Sequence, residues 1–235
     1  MLLTIALSLA APGQTFDAAS IRANNSGKNG SSMVGTGGSA GRITFDNTSL
    51  HDCITFAYGI PDGRNYELSG PSWLDSEMFD IVATFPPGTA TSVIRAMTQR
   101  MLADRFGLQV HYEMKELQTY VLTVAKGGAK LKPNSSTTDD GAFIYSDERV
   151  VFRKSSMTGL ADRLSSPLFH LDRPVVNRTD LKGAYDFTLN WSAKDLTGPS
   201  LFTAIEEQLG LRLAIEKIPA RILIVDNVNR APTAN

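Results

Sequence analysis

The sequence predicts an α+β fold made of two tandem β-α-β-β-α-β-β units, mostly antiparallel sheet with helices packed on one face. Three observations carry this expectation. Short strand patterns are each followed by a serine- or threonine-capped helical pattern, the same order of landmarks occurs twice, and the second helix of each half stops at a glycine.

In the first half, Phe16–Arg22 reads as a short strand and Arg42–Phe45 as another. Thr48 or Ser49 then caps a helix with Leu50, Ile54, Ala57 and Tyr58 on one face. Phe79–Ala83 alternates as a strand around Asp80. A second helix carries Ile94, Met97, Met101 and Leu102 and ends at Gly107, where a left-handed residue is needed to stop it. Two strands follow, Gln109–Glu113 and Gln118–Ala125.

The second half repeats the order. Arg149–Phe152 reads as a strand, and Ser155 or Ser156 caps a helix bearing Met157, Leu160, Ala161 and Leu164. Tyr185, Phe187, Leu189 and Trp191 alternate around Asp186 and share one sheet face. Leu201, Ala204, Ile205 and Leu209 lead to Gly210, and the strands Leu211–Lys217 and Ala220–Val228 close the half. The predicted division is a signal-peptide remnant at 1–14, a first unit at 15–129 with a Gly/Ser-rich loop at 24–41, a polar linker at 130–147, a second unit at 148–230 and a tail at 231–235.

Composition narrows the function classes. Lys plus Arg total 23 and Asp plus Glu total 24, a formal net charge of -1, so no electrostatic footprint for nucleic acid is present. The one cysteine, Cys53, rules out an intrachain disulfide and a multi-cysteine metal site. The apolar run Leu2–Ala11 is too short to span a bilayer, which takes about 20 residues. Its small-residue end at Ser8-Leu9-Ala10 suits a signal-peptide core and cleavage region, although no basic segment precedes it; a buried first strand or helix is the alternative.

Candidate chemistry is thin. Lys28 is followed by Asn29, where a phosphate loop needs Ser or Thr, and Gly35-x-Gly37 is followed by a strand pattern and not by a helix. His51-Asp52-Cys53 gathers reactive types, but helix neighbours one and two apart do not face each other, so a buried structural Cys53 is the favoured reading. His51, His111 and His170 are far apart and form no metal-ligand spacing; His111 is expected to face solvent. Asp75, Glu77, Asp80 and Asp186 are candidate carboxylates, yet Asp80 and Asp186 hold equivalent places in both halves, which favours a structural role. In Gly70-Pro71-Ser72-Trp73-Leu74, Trp73 is either an anchor for a partner, with Pro71 and Leu74 beside it, or a lid over the core.

Several blocks carry a family likeness: FDAASIR at 16–22, Gly70-Pro71-x-Trp73-Leu74-Asp75-Ser76-Glu77-x-Phe79-Asp80-Ile81, Met101–Phe106, Tyr120–Leu131, Arg173–Phe187 and Gly198–Leu211. In these the chain resembles a soil-associated, mainly acidobacterial family of exported proteins with a domain of unknown function. Each half is also faintly similar, as at Phe45-x-Asn47-x-Ser49-Leu50, to the short N-terminal modules of secretins and TonB-dependent receptors. The resemblance implies a periplasmic or extracellular location and brings no catalytic residues.

The resulting expectation is an exported, non-catalytic binding module without a cofactor or metal. Its partner is expected to be an envelope protein or peptide, met in a groove between the two copies or along an exposed sheet edge. A sensor ectodomain working with a membrane metallopeptidase-type signalling protein, or a hydrolase, are the alternatives.

Overall fold

The computed structural model describes residues 15–27, 30–35, 40–135, 143–146, 149–192 and 198–233. The expected leader, 1–14, lies outside the described residues. Two compact units are present. The first takes the chain up to Pro61, then Asn65–Lys115 and the chain from Arg221 onward; the second takes Asp62–Arg64 and Glu116–Ala220.

In the first unit, β1 (Ala18–Ala23), β2 (Ser32–Val34), β3 (Arg42–Ser49) and β5 (Met78–Thr84) form an antiparallel sheet of order β1-β5-β3-β2. Phe79, Ile81 and Ala83 alternate inward along β5, with Ile21 of β1 and Phe45 of β3 opposite Ile81 on either side. Helix α1 (Leu50–Tyr58) starts where the Ser49 hydroxyl accepts the Asp52 N–H and stops at Gly59 in the left-handed region. Helix α2 (Thr91–Phe106) buries Ile94, Met97, Met101, Leu102 and Phe106 and stops at Gly107, φ 61°. Phe79 and Phe106 meet edge to face, 5.1 Å between centroids, and both are fully buried. Burying a ring of that size contributes up to about 3 kcal/mol.

The second unit repeats this plan. Strands β7 (Lys132–Asn134), β8 (Phe143–Ser146), β9 (Arg149–Ser155) and β11 (Ala184–Asn190) form a sheet of order β7-β11-β9-β8, each index of the first sheet raised by six. Helix α3 (Met157–Leu164) is capped by Ser156, and α4 (Leu201–Leu209) is capped by Ser200 and stops at Gly210, φ 65°. A separate core gathers Phe152, Leu160, Leu164, Phe187, Leu189, Trp191, Ala204, Ile205 and Leu209.

Two long strands complete the fold, β6 (Gln109–Val124) and β12 (Leu211–Asn227), which pair with each other. Residues 109–115 and 221–227 belong to the first unit, where the short β4 (Leu68–Ser69) joins β12 in parallel. Residues 116–124 and 211–220 belong to the second, where β10 (Val175–Asn177) joins β6 in parallel.

The α+β class and the mostly antiparallel sheets match the expectation, and three details correct it. Each repeat runs β-β-β-α-β-β-α-β, not β-α-β-β-α-β-β. The two strands expected at the end of each half are single strands, β6 and β12, because neither Met114–Leu117 nor Lys217–Ala220 contains a turn-forming glycine or asparagine. Pro219 lies outside the residues at which β4 pairs with β12, Leu223 and Ile224. Finally, the stretches expected as a loop at 24–41 and a linker at 130–147 supply β2, β7 and β8. These strands have three or four residues, too few to show a period in sequence.

Candidate functional site

The conspicuous Gly70–Leu74 block forms a tight turn in the first unit. Pro71 opens a 3-10 helix, Ser72–Asp75, closed by the Leu74 N–H donating to the Pro71 carbonyl, 3.1 Å. A side chain at Gly70 would lie 2.6 Å from Leu74 Cδ1, so the turn needs glycine for its close packing. Leu74 is 1% exposed and belongs to the core, which removes it from the three residues expected to meet a partner. Pro71 is exposed. Trp73 is half-buried against the core, with the Arg230 guanidinium 5.3 Å from its ring centroid. Arg230 also pairs with Glu77 at 3.3 Å. Trp73 therefore covers the core on one side and meets a cation on the other, combining the lid with a partly open aromatic surface.

The same turn meets the N-terminus of α1. His51 is 8% exposed, and its Nδ1 lies 3.8 Å from a carboxylate oxygen of Asp52 and 3.8 Å from one of Asp75. His51 beside Asp52, with hydrogen bonds from Ser49, holds the Asp52 carboxyl below its usual range, against the opposing effect of burial. Cys53 points the other way into the core, fully buried, and burial pushes its thiol far above the ordinary value. It is not placed to act as a nucleophile.

The remaining singled-out residues disperse. His111 is half exposed on β6, Nδ1 2.8 Å from Asp226. His170 is exposed in a left-handed turn. Asp80 Oδ1 accepts the N–H of Asn47, 2.9 Å, and the Asn24 amide, 2.7 Å. Asp186 accepts the N–H of Lys154, 2.8 Å, and the Asn134 amide, 2.9 Å. Asn47 and Lys154 are the bulged, positive-φ residues of β3 and β9, φ 48° and 52°. The two carboxylates thus perform one duplicated task, holding a strained bulge just before each helix cap. Among the described residues no group of three or more His, Cys, Asp and Glu side chains is arranged to hold a metal ion.

A second surface was not legible in the sequence. Among the described residues, each of the two repeated sheets has one edge strand with blocking residue types and one without. The protected edges are β1, which carries Arg22, and β7, with Lys132 and Pro133, the residue types that block strand addition. The opposite edges, β2 and β8, carry neither a charge nor a proline. Met33 is 37% and Val34 63% exposed on β2; Ile144 is 60% and Tyr145 38% exposed on β8. Tyr145 leans on Phe169 and Trp191, with centroids 6.4 and 6.1 Å away, so β8 is backed by an aromatic cluster. The only sequence signals were the apolar runs Met33-Val34 and Phe143-Ile144-Tyr145 inside polar stretches.

A family model described as protein of unknown function (DUF3738) matches residues 51–228, and the chain belongs to that family. No curated protein and no solved structure matches it. No helix among the described residues is long and apolar enough to cross a membrane.

Proposed function

Starting from membership in this family, we propose that the protein is an exported, non-catalytic interaction module of the bacterial cell envelope that binds an extended segment of a partner protein or peptide. The observation that carries this reading is the pair of edge strands β2 and β8, which have no further strand beside them among the described residues and each bear two exposed apolar side chains. Folded proteins blunt free edges to avoid pairing, and an edge left open offers its backbone N–H and C=O groups to an incoming strand. Of the two, β8 is the stronger candidate because its aromatic backing fixes the strand. The apolar run Leu2–Ala11 and the resemblance to exported soil-bacterial proteins, with the fainter likeness to secretin and TonB-dependent receptor modules, support the envelope location.

The test is a photo-crosslinker at Ser146, the end of β8, followed by mapping of the crosslinked partner segment. One extended segment is expected, lost in Ile144→Lys and kept in Arg22→Gln on the protected edge of the other sheet. Crosslinking that survives Ile144→Lys, or turnover of a peptide or cell-wall substrate with no crosslink, refutes the reading.

Two other readings are narrower. A sensor ectodomain working beside a membrane metallopeptidase-type signalling protein rests on resemblance alone, and genomic neighbourhood tests it. A hydrolase finds support in the approach of Asp75 to His51, but Glu77 is paired with Arg230 and Cys53 is sealed in the core.

A further inference from the structure

The second repeat has a charged group beside its edge strand that the first lacks. Arg163 of α3 and Phe56 of α1 both stand seven residues after their serine caps, Ser156 and Ser49. The Arg163 guanidinium lies 5.1 Å from the ring centroid of Phe143, the first residue of β8. Arg163 is exposed, and among the described residues no carboxylate pairs with it. Phe143 and Tyr145 project to one face of β8, where both rings lie 6.4 Å from Phe169 and Tyr145 also meets Trp191. Ile144 projects to the other face. The first face is therefore an aromatic ledge with a guanidinium at its Phe143 end.

A strand laid against β8 puts every second side chain on this ledge. Antiparallel addition, the more stable pairing, sets one such side chain opposite Tyr145 and the next, two residues later, opposite Phe143. The first packs on the rings of Tyr145 and its neighbours, as aromatic and β-branched residues do across strands. The second reaches the guanidinium, whose planar fork donates two parallel bonds to a carboxylate. Resting on strand addition at β8, we propose that the bound segment is an acidic extended peptide. It carries an apolar side chain opposite Tyr145 and, two residues later, an Asp or Glu held by Arg163. At an exposed site this ion pair strengthens binding by roughly threefold. The first repeat has Phe56 in place of Arg163, so β2 makes no such selection.

The experiment titrates the full chain into three labelled, end-blocked peptides, Thr-Thr-Val-Thr-Xaa-Thr-Thr with Glu, Gln or Lys at Xaa, read by fluorescence anisotropy. The glutamate peptide is expected to bind about threefold more tightly than the glutamine peptide, and the lysine peptide more weakly than either. In Arg163→Gln, an exposed substitution, the preference for glutamate disappears while the affinity of the glutamine peptide is unchanged. Equal affinities for the three peptides, or a preference for glutamate that persists in Arg163→Gln, overturns the acidic selection and leaves strand addition standing. Tighter binding of the lysine peptide, the outcome that Asp147 and Glu148 next to β8 in sequence favour, overturns it in the same way. Failure of all three peptides to bind overturns it together with strand addition.

Discussion

Asp80 and Asp186 perform the same task in two environments, and their alanine variants separate the cost of a lost hydrogen bond from that of a buried unpaired donor. In the first unit the bulge residue Asn47 is 5% exposed, so Asp80→Ala leaves its N–H without its carboxylate acceptor in a site water cannot easily enter. Hydrogen bonds to a charged group contribute about 1.5–3 kcal/mol, and an unsatisfied buried donor costs a similar amount. The loss for Asp80→Ala is therefore expected near about 2–3 kcal/mol. In the second unit Lys154 is exposed, so water replaces the Asp186 carboxylate in Asp186→Ala and the loss is smaller. The chain carries one tryptophan in each unit, Trp73 and Trp191. Urea unfolding followed by Trp73 emission in Trp191→Phe, and by Trp191 emission in Trp73→Phe, reads each unit separately. With a urea dependence of about 2 kcal/mol per molar, Asp80→Ala lowers its midpoint by about 1 M. Asp80→Asn, which keeps an acceptor oxygen, recovers a large part of the loss. Equal losses at the two positions, or a larger one for Asp186→Ala, would refute the argument that burial of the bulge sets the cost.

Two further outcomes follow from local geometry and charge. Gly210→Ala is expected to destabilise more than Gly107→Ala, as read by thermal unfolding. Both are left-handed, but a Cβ at Gly210 lies 2.1 Å from the Gly128 carbonyl oxygen, whereas at Gly107 it meets the side-chain amide of Asn229 at 2.9 Å, which can swing away. The second outcome concerns acid. Asp52 titrates below its ordinary value of 3.8 in the folded chain, chiefly through His51 and Ser49, so its contribution is present above that pH and lost as pH falls through the folded value. Asp186 is lowered in the same direction by the Lys154 N–H and then the Asn134 amide. Asp52→Asn should thus be less stable than the parent at pH 7, with the gap closing as pH falls below the ordinary carboxylate value. A constant gap in denaturant midpoint as pH falls would contradict the assignment.

Much of the local structure was legible in sequence because short-range chemistry decides it. Ser49 and Ser156 cap helices, Gly107 and Gly210 stop them, and Asp80 and Asp186 recur in step, all within a few residues of the elements they serve. The edge strands were not legible. Three residues at 32–34 and four at 143–146 become strands only because β3 and β9 present a ladder to them. The candidate site divides in the same way. Gly70, Pro71 and Trp73 stood out by composition, whereas the burial of Leu74 and the approach of Asp75 to His51 depend on how the turn folds back on α1.

The sequence by itself determined the fold class, the glycine stops of the second helices and the twofold recurrence of strand and helix, since period, caps and glycine stops are written within one or two turns of chain. Only the tertiary structure decided that the final strands of the two repeats run unbroken and pair with each other, because strand continuity depends on a partner strand far away in sequence, β12 beside β6. It also decided which strands stand at the sheet edges among the described residues, since an edge is defined by its neighbours and no residue encodes that alone.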